Sequence, residues 1–114
     1  MEELLQAAID HHRSGRLQDA GRLYQAALRR EPDHPDALHR LGVVAHQLGQ
    51  HHAAAVLIGR AASLRPDVPE LHADLAEVWR ALGRFDEAVR CGRVALGLRP
   101  AYPEAANNLG LALL

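Results

Sequence analysis

The stretch PELHADLAEVWRALGRFDEAVRCGRVALGLRPAY, residues 69–102, decides the fold of this chain. Its proline and glycine residues mark two segments of helical composition, one on each side of Gly83. The same marks recur through the sequence. Three proline pairs, each 34 residues from the next, are Pro32/Pro35, Pro66/Pro69 and Pro100/Pro103. A fixed step of this size indicates an architecture built from stacked repeats.

Small and apolar residues also recur every 34 residues. The recurring sets are Gly15, Gly49 and Gly83; Ala20, Ala54 and Ala88; Ala27, Ala61 and Ala95; and Leu41, Leu75 and Leu109. The sequence therefore divides into units 1–34, 35–68 and 69–102 and a half unit, 103–114. We expect one repeat domain, and because the last unit is half a unit, we expect it to be a fragment of a longer protein.

Each unit is predicted to form two antiparallel helices. Pro35, Pro69 and Pro103 suit the first helical position, where a missing N–H costs nothing. Glycines at 15, 49 and 83 are expected to end the first helix in a left-handed conformation. The second helix is predicted to start near Asp19, His52 and Asp86 and to end in arginine at 30, 65 and 99. The predicted fold class is all-α, a solenoid of about seven helices.

Composition excludes several classes of function. Thirteen basic residues, all arginine, face fourteen acidic ones, which leaves a net charge of -1. This balance gives no overall attraction to nucleic acid or to anionic lipid. No apolar run approaches the length of a membrane span, and the start Met-Glu-Glu lacks the basic character of a signal peptide. We expect a cytoplasmic protein without nucleic-acid or membrane partners.

The pattern resembles the tetratricopeptide repeat (TPR) family. The matching residues are the pairs Leu41-Gly42, Leu75-Ala76 and Leu109-Gly110, the phased alanines, Tyr24 and Ile58, and Pro32, Pro66 and Pro100. The resemblance implies a right-handed solenoid whose first helices line a concave groove that binds a protein or peptide. His11 and His72 stand where the family often has packing aromatics, so roles in the core are expected for them.

The resemblance places a groove on one polar stripe of the first helices. The candidate residues for partner binding are Leu5, Ile9, His39, Arg40, Val43, Asp74, Glu77, Asn107 and Asn108. Leu5, Ile9 and Val43 would hold an apolar side chain, and the two asparagines would bond peptide backbone. Arg40 would pair with a carboxylate of the partner. The alternative is a plain solvated face on which Arg40 pairs with Asp36, four residues away.

No residues combine into a catalytic or metal site. The eight histidines include two adjacent pairs, His11-His12 and His51-His52, whose side chains diverge on a helix. No carboxylate or cysteine completes a zinc spacing around them. The lone Cys91 has no neighbour in sequence that would activate it. We therefore expect a protein that is not an enzyme and that uses no cofactor and no metal.

The leading functional hypothesis is a protein-interaction scaffold that binds a partner segment in the groove. One alternative is self-association through the last helix, with Leu111 and Leu113 as the contact residues. Another is the substrate-targeting arm of a larger transferase, because residues 103–110, PEAANNLG, resemble repeats that precede O-linked N-acetylglucosamine transferase domains. In those repeats an asparagine before the leucine binds the target, and here only Asn108 holds that position.

Overall fold

A computed structural model describes all residues 1–114, and it contains seven helices and no strand. In chain order the helices are α1 (Glu2–Arg13), α2 (Leu17–Arg30), α3 (Pro35–Gln47), α4 (His51–Leu64), α5 (Pro69–Ala81), α6 (Phe85–Leu98) and α7 (Pro103–Leu113). The predicted all-α solenoid is confirmed. None of the seven helices combines the length and the apolar character that crossing a bilayer requires.

The turn inside each hairpin is built the same way three times. Gly15, Gly49 and Gly83 have φ values of 79°, 81° and 76°, the left-handed region that glycine enters without a steric penalty. In the first turn the N–H of Arg16 donates to the carbonyl of His11 at 2.9 Å, and the N–H of Gly15 donates to that of His12 at 3.1 Å. This pair of bonds is the Schellman arrangement, and it satisfies carbonyls that the end of α1 would otherwise leave unpaired.

The second helices begin earlier than the sequence predicted. They start at Leu17, His51 and Phe85, instead of near Asp19, His52 and Asp86. The residue that closes the glycine turn already accepts the first helical bond: the carbonyl of Arg16 receives the N–H of Ala20 at 3.0 Å. The turn therefore leads directly into the helix, and no side chain caps it.

Hairpins stack so that each helix packs on its neighbours in sequence. The first helices also contact one another, α3 with α5 and α5 with α7, whereas α2, α4 and α6 make no comparable contacts among themselves. The layer of α1, α3, α5 and α7 is thus the more closely spaced of the two, and the stack curves toward it. We call the exposed side of this layer the inner surface. The stack is 40 Å long and 25 × 21 Å in section.

The core consists mainly of small side chains. All six phased alanines at positions 20, 27, 54, 61, 88 and 95 are buried. Only five large side chains are fully buried: Tyr24, Leu38, Ile58, Val44 and Val78. Four buried clusters follow one another along the stack, and Leu57 packs against three of them. Each hairpin therefore buries its apolar face mainly against the next one, as nearest-neighbour stacking requires.

The expectation that His11 and His72 belong to the core is wrong. Both side chains are only partly buried, and each makes a local polar contact. His11 Nδ1 accepts a 2.7 Å hydrogen bond from Arg16 Nε. His72 Nε2 donates to the carbonyl oxygen of Pro66 at 2.7 Å. An imidazole needs a polar partner, and in both cases a group close in sequence supplies it.

Gly42 marks a close approach of α3 and α4. A Cβ added there would overlap Cγ1 of Ile58 and lie 3.2 Å from its Cδ1 and 3.3 Å from its backbone nitrogen. Ile58 is 1% exposed and belongs to a packed cluster, so it has little room to move. Gly110 holds the same place in the repeat on α7, and a Cβ there would meet nothing within 4 Å.

Replacing Gly42 with alanine should therefore destabilise the protein, while Gly110→Ala serves as the matched control. We expect Gly42→Ala to lower the free energy of unfolding by about 1–3 kcal/mol, the usual cost of overpacking. Gly110→Ala should be neutral or stabilising by up to about 1 kcal/mol, because alanine favours the helix. Urea unfolding followed by circular dichroism measures both. Equal effects of the two substitutions would contradict the close approach of α3 and α4.

Candidate protein-binding surface

The residues predicted for partner binding lie together on the inner surface. Leu5 and Ile9 are on α1, the segment 39–43 carries three residues on α3, and α5 and α7 carry two residues each. The complete set is Leu5, Ile9, His39, Arg40, Val43, Asp74, Glu77, Asn107 and Asn108; Asn107 is exposed and the others are half-buried. Ala73 holds the repeat position of Leu5 and His39, but it is buried with Ala95 and Ala105.

Three polar contacts join neighbouring first helices across this surface. His12 Nε2 lies 2.7 Å from Gln47 Oε1 and links α1 to α3. His39 Nε2 lies 2.6 Å from Asp74 Oδ2 and links α3 to α5. The third contact, 3.7 Å between His46 Nε2 and Glu77 Oε1, links the same two helices.

The spacing of these contacts shows how the first helices are aligned. His12 and Gln47 are 35 residues apart, as are His39 and Asp74. This is one residue more than the 34-residue repeat, so a given position on one first helix meets the following position on the next. The polar stripe predicted for the first helices contains all six of these residues, but a single repeat does not show which of them pair. A search for complementary polar residues 35 apart would have found the first two contacts.

Arg40 pairs within its own helix. Its Nε donates to both carboxylate oxygens of Asp36, at 3.0 and 3.1 Å, so the local ion pair considered as the alternative does form. Beneath it the Tyr24 hydroxyl is buried and has no hydrogen-bond partner of good geometry. Burial raises the pKa of Tyr24, and the nearby positive charge of Arg40 offsets part of that increase. Arg40 thus connects the inner surface to the core of the first hairpin.

The amino-terminal end of the surface carries two apolar side chains, those of Leu5 and Ile9. Leu5 and Ile9 pack partly against the buried cluster that contains Ala8 and Tyr24. Together with Glu2, Glu3 and Gln6 they line an open depression on α1. Each keeps part of its side chain accessible, so an apolar side chain of a partner would remove further apolar area from water here.

The carboxyl-terminal end of the surface combines amides, carboxylates and a tyrosine. Neither Asn107 nor Asn108 is used in a side-chain hydrogen bond with the rest of the protein. Arg99 Nη2 donates to Glu70 Oε2 at 2.7 Å, and its guanidinium carbon lies 4.9 Å from the centre of the Tyr102 ring. The backbone N–H of Glu70 itself, and then Arg99, lower the pKa of that carboxyl. Burial raises the pKa of Tyr102, and the negative charges of Asp74 and Glu70 add to the increase.

Two further features of the structure involve reactive side chains, the His46–His51 pair and Cys91. His46 Nδ1 and His51 Nδ1 are 2.8 Å apart, so one imidazole donates to the other. No three histidine, cysteine or carboxylate side chains come together as a metal site would need. Cys91 is half-buried, and burial raises the pKa of its thiol, which keeps it protonated at neutral pH.

Comparison with known families identifies the class of protein. Two models of the tetratricopeptide repeat match the chain, one over residues 5–69 and the other over residues 45–106. The chain belongs to the tetratricopeptide repeat family, whose members are protein-interaction modules. No curated protein sequence matches this chain closely enough to count as a relative.

Solved structures show the same fold. A mutant of the O-GlcNAc transferase of Thermobaculum terrenum superposes with a TM-score of 0.92 at 34% sequence identity, over 98% of this chain but only 22% of the transferase. MamA (MSR-1) superposes with a TM-score of 0.86 at 25% identity, over 96% of this chain and 63% of MamA. The chain thus spans about a fifth of the transferase and less than two thirds of MamA.

A third solved structure is the first TPR of Spaghetti (RPAP3), bound to the HSP90 peptide SRMEEVD. It superposes with a TM-score of 0.93 at 19% identity, over 96% of this chain and 87% of the other. At that identity the similarity describes the fold alone. Together the family match and the fold place this chain among the protein-interaction modules of the TPR type.

The raised pKa of Cys91 leads to a prediction about reactivity. Because the thiol is half-buried and less of it is ionised at a given pH, iodoacetamide should alkylate the folded protein at neutral pH more slowly than an exposed cysteine. The alkylation rate of the folded protein should also begin to rise at a higher pH than the rate of a free thiol, because the pKa of Cys91 is raised. The same chain unfolded in urea is the matched control, and mass spectrometry measures both rates. Equal rates in the folded and unfolded protein would contradict the burial of Cys91.

Proposed function

We propose that this protein binds an extended polypeptide segment along its inner surface. The nine predicted residues form the contact area: apolar side chains on α1 and α3, polar and charged ones on α3 and α5, and amides on α7. The observation that carries the proposal is that these residues occupy one continuous side of the closely spaced first helices and remain at least partly accessible.

The dimensions and chemistry of this surface suit an extended segment. An extended chain advances roughly 3.3 Å per residue, so about twelve residues match the 40 Å length of the stack. Asn107 and Asn108 have unused donors and acceptors, which can pair with peptide backbone. Leu5, Ile9 and Val43 offer apolar area at the opposite end, where side chains of the segment would be held.

Selection from a display library of random peptides about a dozen residues long tests the proposal. Peptides selected on the protein should bind at least about tenfold more weakly to Val43→Glu, which places a charge in the apolar part of the surface. Val56→Glu is the matched control, because Val56 is 63% exposed on α4, outside the inner surface. Fluorescence anisotropy measures the affinities.

A second inner-surface variant keeps the proposal testable if Val43→Glu fails to fold. Asn107 is exposed, so Asn107→Arg should leave the fold intact while obstructing the α7 end of the surface. Unfolding midpoints of all variants confirm that they are folded. Peptides that tolerate both inner-surface changes but lose binding to Val56→Glu would place the binding site on the outer helices and refute the proposal.

Self-association through α7 is the second candidate function. Leu111 and Leu113 are 42% and 60% exposed, whereas Ala105 and Ala112 on the same helix are buried. Exposed leucines near the end of a helix favour a contact with another apolar surface.

Sedimentation measurements test this candidate directly. If α7 mediates self-association, the weight-average mass should exceed the monomer mass of 12.5 kDa and rise with protein concentration. Changing both leucines to asparagine should return it to the monomer mass. Val94→Asn with Leu98→Asn is the control, because those two residues are 45% and 43% exposed on α6. A monomer at every concentration rules out this candidate.

A third candidate is the targeting arm of a larger transferase. The 34% identity with the O-GlcNAc transferase of Thermobaculum terrenum favours it over an unrelated context. Asn108 is the only residue here that holds the expected asparagine position, since Arg40 and Asp74 stand at the corresponding positions of units two and three. The proposed contact area is the same in this setting, with the transferase substrate as the bound segment.

A further inference from the structure

Charge is unevenly divided between the two layers of the solenoid. The four helices of the inner layer carry eight carboxylates and three arginines. The three outer helices, α2, α4 and α6, carry three carboxylates and six arginines. The net charge of -1 therefore conceals an acidic inner layer and a basic outer layer, to which the residues between the helices add one positive charge.

Helix stability explains only part of this division. Glu2, Asp36, Glu70 and Glu104 lie in the first turns of their helices, where a negative charge favours the helix dipole. Asp74 and Glu77 lie in the middle of α5, beyond the reach of that effect. Their side chains are 37% and 44% exposed on the inner surface, so they face solvent or a partner.

The carboxylates also differ in how far they are neutralised. Arg40 pairs with Asp36 and Arg99 pairs with Glu70. Asp74 and Glu77 meet only histidines, and Glu104 is exposed and has no ion pair. Arg80 is the opposing charge at this end of the surface, and its Nε is buried without an acceptor. The accessible excess charge at the α5–α7 end is negative.

We propose that the segment held on the inner surface is a basic one, whose lysine or arginine side chains lie against Asp74, Glu77 and Glu104. Its apolar residues would lie against Leu5, Ile9 and Val43 at the other end. This inference rests on the proposed function, because it specifies the partner of that same surface. Cations next to partly desolvated carboxylates would add affinity and, above all, specificity and speed of association.

Two other occupants are less well matched. An acidic segment such as SRMEEVD would bring its carboxylates against those of α5 and α7, and this chain has no lysine to receive them. The arginines on the outer helices of a second copy would complement the inner surface in sign. They stand on a convex face, however, whereas an extended segment can follow the curve of the inner layer. Both occupants become outcomes of the test.

The first measurement is the composition of the selected peptides. Among peptides whose binding depends on the inner surface, lysine and arginine should be enriched over aspartate and glutamate at least about threefold. One selected peptide is then synthesised in two forms, as selected and with every lysine and arginine changed to glutamine. The peptide SRMEEVD is the acidic probe.

The second measurement uses isosteric variants of the protein. Asp74→Asn with Glu77→Gln should weaken binding of the selected peptide about fivefold, as expected for the loss of two exposed ion pairs. Asp19→Asn with Asp86→Asn makes the same change in net charge on the outer helices and should have no effect. Affinity for the inner-surface variant should also depend less on salt concentration.

The outcomes separate this inference from the proposed function. If no peptide depends on the inner surface, the proposed function fails. If peptides depend on it but are neutral or acidic, or if both pairs of variants weaken binding equally, the proposed function stands and the basic partner is refuted. A concentration-dependent rise in mass that the Asp74→Asn, Glu77→Gln protein abolishes would assign the surface to a second copy instead.

Discussion

Gly42 and Ile58 are in contact between the two helices of the second hairpin. Close approach of this kind is the constraint on which the whole stack depends. A hairpin has too few large side chains to form a core of its own. It gains stability by bringing helix backbones near enough for alanine-sized groups to make dense contacts. The phased alanines buried in α2, α4 and α6 make that approach possible in every repeat. Since each hairpin depends on the next, the length of the repeat has to stay fixed.

In the third hairpin the helices also pack closely, but different residues make the contact. Unit one combines Ala8 with Tyr24, unit two combines Gly42 with Ile58, and unit three combines Ala76 with Gly92. In the last case both residues are small, and Leu109 of α7 occupies the space: a Cβ added to Gly92 would lie 3.3 Å from the Cβ of Leu109. Glycine lowers helix propensity in α6, but here it admits the neighbouring helix. Gly92 therefore weakens the intrinsic stability of α6 and at the same time allows α7 to pack closely against it.

The sequence predicted the parts of this structure that local rules determine. Helix number, the proline starts and the left-handed glycines follow from backbone geometry at single residues. The starts of the second helices were placed one or two residues late, because the turn closes through backbone bonds that leave no trace in side-chain type. The places of His11 and His72 in the repeat predict core positions, but each imidazole makes a polar contact and is only partly buried. The contacts between His39 and Asp74 and between His12 and Gln47 require knowing the alignment between helices, which a single repeat does not show.

The net charge of the chain does not predict the charge of the inner surface. It sums the whole chain, whereas a partner bound at one face responds to charges within about 8 Å at physiological salt. The solenoid is 21–25 Å thick, so a segment on the inner surface is screened from the arginines of the outer helices. A total of -1 excludes long-range attraction of the whole molecule to a polyanion, as the sequence analysis concluded. It does not describe either face, because first and second helices alternate along the chain and differ in composition: the first helices carry most of the carboxylates and the second helices more of the arginines.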